Sequence, residues 1–168
     1  PILVVQHMPP VFTKLLAERL TATSRVRVAE AEPGCALEPG RAWVAPGGRH
    51  LTVARDGDRV VCNLDENPPV NSCRPSADVL LLSVAVTYGG ASVAVVLTGL
   101  GKDGLEGCRA VRAAGGHVIV QNEATSVVWD MPGAVARAGL ADAVLPLPDI
   151  GAAAVMRFAR AGKSPVTG

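Results

Sequence analysis

Ser92-Val-Ala-Val-Val-Leu-Thr-Gly-Leu-Gly-Lys-Asp-Gly-Leu-Glu-Gly107 decides how the rest of the chain is read. The run Val93 to Leu97 has the length and β-branched content of a buried strand, and Gly99, Gly101, Gly104 and Gly107 break it into a tight loop. Lys102 and Asp103 are the charged groups at that turn. Ligands bind beyond the carboxyl ends of strands in open α/β sheets, so a carboxylate just past such a strand is a candidate for chemistry.

Working outward, Ser76 is a fitting N-cap for a helix over Ala77 to Tyr88, which Gly89-Gly90 ends. Downstream, Leu105, Cys108, Val111 and Ala114 form a helical stripe, and His117 to Gln121 reads as a strand. A short helix is expected over Val127 to Met131, a further turn from Pro132 to Ala138, a strand at Ala143 to Leu145, and a helix from Ile150 to Ala161 capped by Asp149. Toward the N-terminus, Ile2 to Gln6 reads as an interior parallel strand. Met8-Pro9-Pro10 then leads into a helix whose Val11, Leu15, Leu16 and Leu20 recur at helical spacing. Val26 to Ala29 is another strand, and Ala42 to Ala45, His50 to Ala54 and Arg59 to Cys62 are three β-like runs between glycine turns, expected to form an antiparallel insertion.

This alternation predicts a doubly wound α/β fold, a mainly parallel sheet in a Rossmann-like three-layer αβα arrangement with a small antiparallel hairpin insertion. One domain over residues 1–161 and a mobile tail over 162–168 are expected. Strands ending at His7, Thr98 and Gln121 then bring His7 and Met8, Gly99 to Asp103, and Gln121 to Ser126 to one cleft.

Hydrophobic residues make up 49% of the 168 and charged residues 18%, which excludes a disordered chain. A net charge of +1 gives no electrostatic reason to expect nucleic acid or a membrane surface as partner. No apolar run reaches the ~20 residues of a membrane helix. Cys35, Cys62, Cys73 and Cys108 form no CxxC pair and read as reduced thiols, which points to the cytoplasm.

A His and an Asp at one sheet edge suit a general base and its orienting carboxylate. The local pattern also allows plainer roles: Asp103 with Glu106 fits a capping box, and His7 fits a turn. The loop Gly99 to Gly104 lacks the GxxxxGK(S/T) spacing of a phosphate loop, and its GxGxxG-like glycines are followed by no acidic residue at the end of the next strand, Glu123 lying two residues beyond it. His7, His50 and His117 are too dispersed for a metal site, so neither a metal nor a cofactor is expected. Arg74 is a candidate for holding a substrate carboxylate or, more simply, for tying down its loop.

Gln6-His-Met-Pro with Ala17-Glu-Arg-Leu20, Ala45-Pro-Gly-Gly-Arg-His50, Pro69-Val-Asn-Ser-Cys-Arg-Pro-Ser76, Leu97-Thr-Gly-Leu-Gly-Lys-Asp-Gly104, and Glu123-Ala-Thr-Ser126 with Met131-Pro132 resemble the catalytic domain of the CheB family, the chemotaxis protein-glutamate methylesterases. The match runs in family order from Pro1 to about Leu147. It implies a Ser-His-Asp hydrolase that removes methyl groups from glutamyl esters on chemoreceptors and, in many members, deamidates receptor glutamines. By motif the base falls on His7 and the orienting acid on Asp103. The family's nucleophilic serine lies upstream of the Gln-His-Met motif, so a preceding strand, turn and helix of about 30 residues is expected and the 168-residue chain alone should be inactive. Ser76 reads as a cap and Ser126 as a loop residue rather than as substitutes. A phosphorylatable receiver domain commonly precedes the esterase in this family. The chain departs from the pattern at Leu100, where Met is usual, and at Lys102, where Asn is common; a Lys there should help keep Asp103 ionised. A non-catalytic binding domain of the same fold and a nucleotide-binding α/β domain are the alternatives.

Overall fold

The computed structural model describes residues 1–161, so the tail predicted over 162–168 lies outside the described residues. The elements are β1 (Ile2–Val4), α1 (Pro10–Thr23), β2 (Arg27–Glu30), β3 (Arg41–Val44), β4 (His50–Asp56), β5 (Arg59–Asp65), α2 (Ala77–Tyr88), β6 (Val93–Val96), α3 (Leu105–Ala113), β7 (His117–Gln121), α4 (Asp130–Arg137), β8 (Ala143–Leu145) and α5 (Leu147–Ala161). Single 3-10 turns, Gly89–Ala91 and Glu123–Thr125, follow α2 and β7.

The parallel strands form two three-stranded sheets, ordered β1-β3-β2 and β6-β7-β8, with β4 and β5 as an antiparallel pair. The mainly parallel α/β architecture with a hairpin is therefore as expected, with two corrections. Ala42 to Ala45 does not belong to the antiparallel insertion: β3 is the middle strand of its sheet, in parallel register with Ile2 to Val4 on one side and with Arg27 to Glu30 on the other. Pairing direction is set by partners distant in sequence, which short β-runs between glycine turns do not encode. Second, β1 is an end strand of its sheet rather than an interior one, and Ile2 is exposed. β6 is likewise an end strand, with Val95 and Leu97 exposed.

The helices follow their predicted spans with local differences. Proline at the first helical position starts α1, as its fixed φ and missing N–H allow. The expected apolar stripe does not form the buried face, however, because Val11 and Leu15 are exposed while Thr13 and Ala17 are buried. The short helix expected over Val127 to Met131 and the turn from Pro132 are one helix, α4, which begins only at Asp130 and carries Pro132 in its first turn, where no N–H is needed. The last helix starts at Leu147, with Asp149 inside its first turn.

Two apolar clusters meet across α2. One gathers Val96, Cys108, Val111, Val118, Val120 and Val135, and the other Trp43, Ala45, Leu51, Val53 and Cys62; Ala85 serves the first and Leu80 the second. A helix apolar on both sides is what such a position requires. Burial pushes the Cys108 thiol up to about 12, consistent with a packing residue rather than a reactive one. All four cysteines are free, as expected.

Helices α2 and α3 are in close contact at Gly107, where an added Cβ would lie 2.5 Å from Leu81 Cβ and 3.2 Å from Asp78 Cα. Gly107→Ala should therefore lower the unfolding free energy by about 1–3 kcal/mol through overpacking. The change will appear as a lower urea midpoint at unchanged slope.

Candidate active site

His7 follows β1 at the centre of a three-residue turn closed by Met8 N–H donating to Gln6 O at 2.8 Å. The next residues are held from behind by Gly47, whose missing Cβ leaves room for the chain: an added one would lie 2.5 Å from Met8 O and 2.4 Å from Pro10 N. Gly47 N–H in turn donates to the buried Thr13 Oγ1 at 3.0 Å. Sequence reading did not single out Thr13, which looks like an ordinary polar residue in an amphipathic helix.

Asp103 reaches the same place from the loop after β6, and His7 Nε2 lies 2.7 Å from its Oδ2. The predicted convergence of these two sheet edges is thus present in the geometry. Asp103 is 1% exposed and takes four further hydrogen bonds. Ala77 N–H donates to Oδ2 at 2.6 Å, while Ser76 Oγ at 2.6 Å, Asp78 N–H at 3.1 Å and Asn71 Nδ2 at 3.2 Å donate to Oδ1. Burial pushes the carboxyl pKa up, but the hydrogen bonds from His7, Ser76, Ala77 and Asp78 outweigh it and hold the group far below the usual carboxylate range. Lys102, expected to help, is exposed to solvent, and the named causes of the depression are these hydrogen bonds.

An ionised carboxylate only accepts, so His7 Nε2 must carry the hydrogen and Nδ1 the free lone pair. Fixed tautomer, buried counter-charge and a partly exposed ring, 28% for the side chain, are what a general base needs. The capping-box reading of Asp103 fails: Gly104, with φ +94°, caps α3 with no side-chain bond. Asp103 caps α2 instead, and Asp78 on α2 accepts from Gly107 N–H in α3 at 2.7 Å. Asn71 Nδ2 bridges both carboxylates, from a left-handed backbone conformation that Asn tolerates.

The remaining candidates take supporting places. Ser76 caps α2 as predicted, is fully buried, and gives its hydroxyl hydrogen to Asp103. Ser126 Oγ donates to Asn122 O. Arg74 Nη1 donates to Glu66 O and Asn67 O, so it ties down its loop. His50 is buried, donating to Pro68 O and accepting from Ser76 N–H, and so steadies both ends of that loop. Gln121 does not join the His7–Asp103 couple; it accepts from Thr98 N–H and donates to Thr125 O, bracing the neighbouring loops. The loop at Gly99 is closed by chain rather than open to a phosphate, with Gly99 N–H donating to Val128 O and Gly99 O accepting from Met131 N–H. Sequence reading gave no individual role to Asn71, which it took only within the Pro69 to Ser76 motif, to Cys73, taken there and as a reduced thiol, or to Asp78, which it placed inside a helix.

Asp103→Asn presents an amide hydrogen to one of the donors now facing an oxygen, and should cost roughly 3 kcal/mol at neutral pH. Because the folded pKa is depressed, the stability owed to Asp103 is full above its unfolded pKa of ~3.9 and is lost as pH falls below it. Urea titrations between pH 2 and 7 should therefore show a steep acid loss in the parent protein and a flatter one in Asp103→Asn.

Residues 1–154 match the family model described as CheB methylesterase. A protein-glutamate methylesterase/protein-glutamine glutaminase of Trichodesmium erythraeum is 54% identical over 147 residues, which is 88% of this chain and 42% of the relative. One of a group 2 operon in Rhodopseudomonas palustris is 52% identical over 95% of this chain and 41% of its own length. The chain thus spans about two fifths of the length of these curated relatives. The crystal structure of the Thermotoga maritima CheB methylesterase catalytic domain superposes with a TM-score of 0.87 at 45% identity, covering 89% of this chain and 79% of that one. On these matches and on its fold, the chain belongs to the CheB methylesterase family.

Proposed function

We propose that this chain is the catalytic region of a serine-type protein-glutamate methylesterase that hydrolyses glutamyl methyl esters on chemoreceptors, with glutamine deamidation as a second activity. The observation that carries the reading is the 2.7 Å contact between His7 and a buried, strongly ionised Asp103. In this mechanism a serine hydroxyl attacks the γ-ester carbonyl and passes its proton to His7 Nδ1. Asp103 holds the ring and balances the imidazolium, and backbone N–H groups near the nucleophile hold the oxyanion. His7 returns the proton to the leaving methanol, and water then cleaves the glutamyl-enzyme by the same steps. A glutamine amide follows the same path with ammonia leaving.

The nucleophile is proposed to come from a segment preceding Pro1. Among the described residues no serine hydroxyl hydrogen-bonds His7, and Ser76 and Ser126 are committed elsewhere. The outward edges of β1 and β6 support the same view, since each is an end strand with exposed apolar side chains that a further parallel strand would cover. The greater length of the relatives also leaves room for a receiver domain upstream.

The test is to extend the chain by about 40 upstream residues, enough for one strand-turn-helix unit, and to measure methanol release from methylated receptors. The extended chain should turn over and the 168-residue chain should not. His7→Ala in the extended chain should lower turnover by at least about 1000-fold while its circular dichroism and urea midpoint stay close to the parent. Undiminished turnover in His7→Ala would remove the assignment.

A further inference from the structure

We propose that His7, Cys73 and Asp103 together form a binding site for a thiophilic divalent cation of the Zn2+ type, and that an ion seated there switches the site off. Among the described residues, these three offer ligand atoms that all lie within 4.8 Å of one another. An imidazole nitrogen, a thiolate and a carboxylate oxygen are the three donor kinds that zinc takes, and three protein ligands leave a fourth position for water. The sulfur selects against magnesium and calcium, which prefer oxygen cages.

The scaffold holds two of the ligands in place. Asp103 is fixed by its four hydrogen bonds from Ala77, Asp78, Ser76 and Asn71. Cys73 is pinned by a two-way backbone pairing with Val70, at 2.8 and 3.1 Å. Its thiol makes only a long contact to Asn71 O, 3.4 Å, which is readily given up. The third ligand is the adjustable one. Two ligands at ~2.0–2.1 Å from a tetrahedral ion sit about 3.3 Å apart, whereas His7 Nε2 and Asp103 Oδ2 are 2.7 Å apart. A small outward swing of the partly exposed His7 ring makes the room.

The protons balance without any redox partner. The ion displaces the Cys73 thiol proton to solvent and takes the place of the hydrogen between His7 Nε2 and Asp103 Oδ2. The neutral imidazole keeps its one hydrogen by carrying it on Nδ1, the nitrogen proposed above to accept the serine proton. An occupied site therefore has no base. The inhibitory half of the proposal rests on the reading of His7 as that base; the binding half does not.

Titration of the 168-residue chain with Co2+ as a spectroscopic probe should give a sulfur-to-cobalt charge-transfer band that saturates at one ion per chain. Zn2+ should displace it. The band should vanish in Cys73→Ser, and affinity should fall in His7→Ala by more than the about 10- to 100-fold that outer-shell changes cost, while Cys35→Ser keeps it. Should a variant fold poorly, the parent still decides the question: Zn2+ should protect Cys73 from iodoacetamide, read by peptide mass spectrometry. No charge-transfer band, a band unchanged in Cys73→Ser, or no protection of Cys73 overturns the site. In the extended chain, Zn2+ should suppress turnover as the site fills, and full turnover with the site filled overturns the switch. An extended chain still active in His7→Ala would instead mark a failure of the base assignment, with cobalt binding unaffected as a finding.

Discussion

One buried carboxylate organises the structure around it. Asp103 lies in the loop after β6, yet its partners come from the turn after β1, from the loop before α2 and from the first turn of α2. An isolated buried charge would be prohibitively costly, and here the cost is offset by five donors at once. Two of those donors are helix N-terminal N–H groups, which lack partners within α2 and carry the positive end of its dipole. The interaction that makes the site ionic is therefore also the one that closes the end of a helix.

Asp78 repeats the device in the opposite sense. It belongs to the first turn of α2 but caps Gly107 of α3, so each helix is finished by a carboxylate supplied from the other's neighbourhood. Asn71 ties the two carboxylates together, and Gly107 lets the helices come close enough for the exchange. The two apolar clusters, which share only α2, are held in register with the sheet edges by this polar knot. The position of His7 relative to Asp103 follows from packing on both sides: Gly47 and Thr13 behind the His7 turn, and the paired helix ends behind Asp103.

Local patterns in the sequence announced most elements. The strand at His117 to Gln121 and the Ser76-capped helix ending at Gly89 stand as read, because an apolar β-branched run and a cap-to-glycine span are short-range signals. Topology brought His7 and Asp103 to the same edge, and that meeting is present in the geometry. What escaped were long-range choices. β3 looks like a hairpin strand until its parallel partners, Ile2 to Val4 and Arg27 to Glu30, are known. Val11 and Leu15 have core spacing but stay exposed, because small Ala17 and hydrogen-bonded Thr13 take the close side of α1. Asp103 and Glu106 spell a local cap, yet the carboxylate turns toward donors on another helix. Cys73 was read only as a reduced thiol, since a search for ligands among the histidines alone passes over a cysteine.

The exchange of caps between α2 and α3 bears on how relatives with altered chemistry should be told apart. A chain that abandoned hydrolysis and kept the fold as a recognition module would still need Asp103, because removing it would leave Ala77 N–H, Asp78 N–H and Ser76 Oγ without their acceptor. Nothing comparable binds His7 to the scaffold: its ring makes one side-chain hydrogen bond and is partly exposed. Selection for folding alone would thus preserve Asp103 and release His7, the base in the proposed mechanism. Drift at position 7, rather than at position 103, is the mark by which a retired enzyme of this architecture would be recognised.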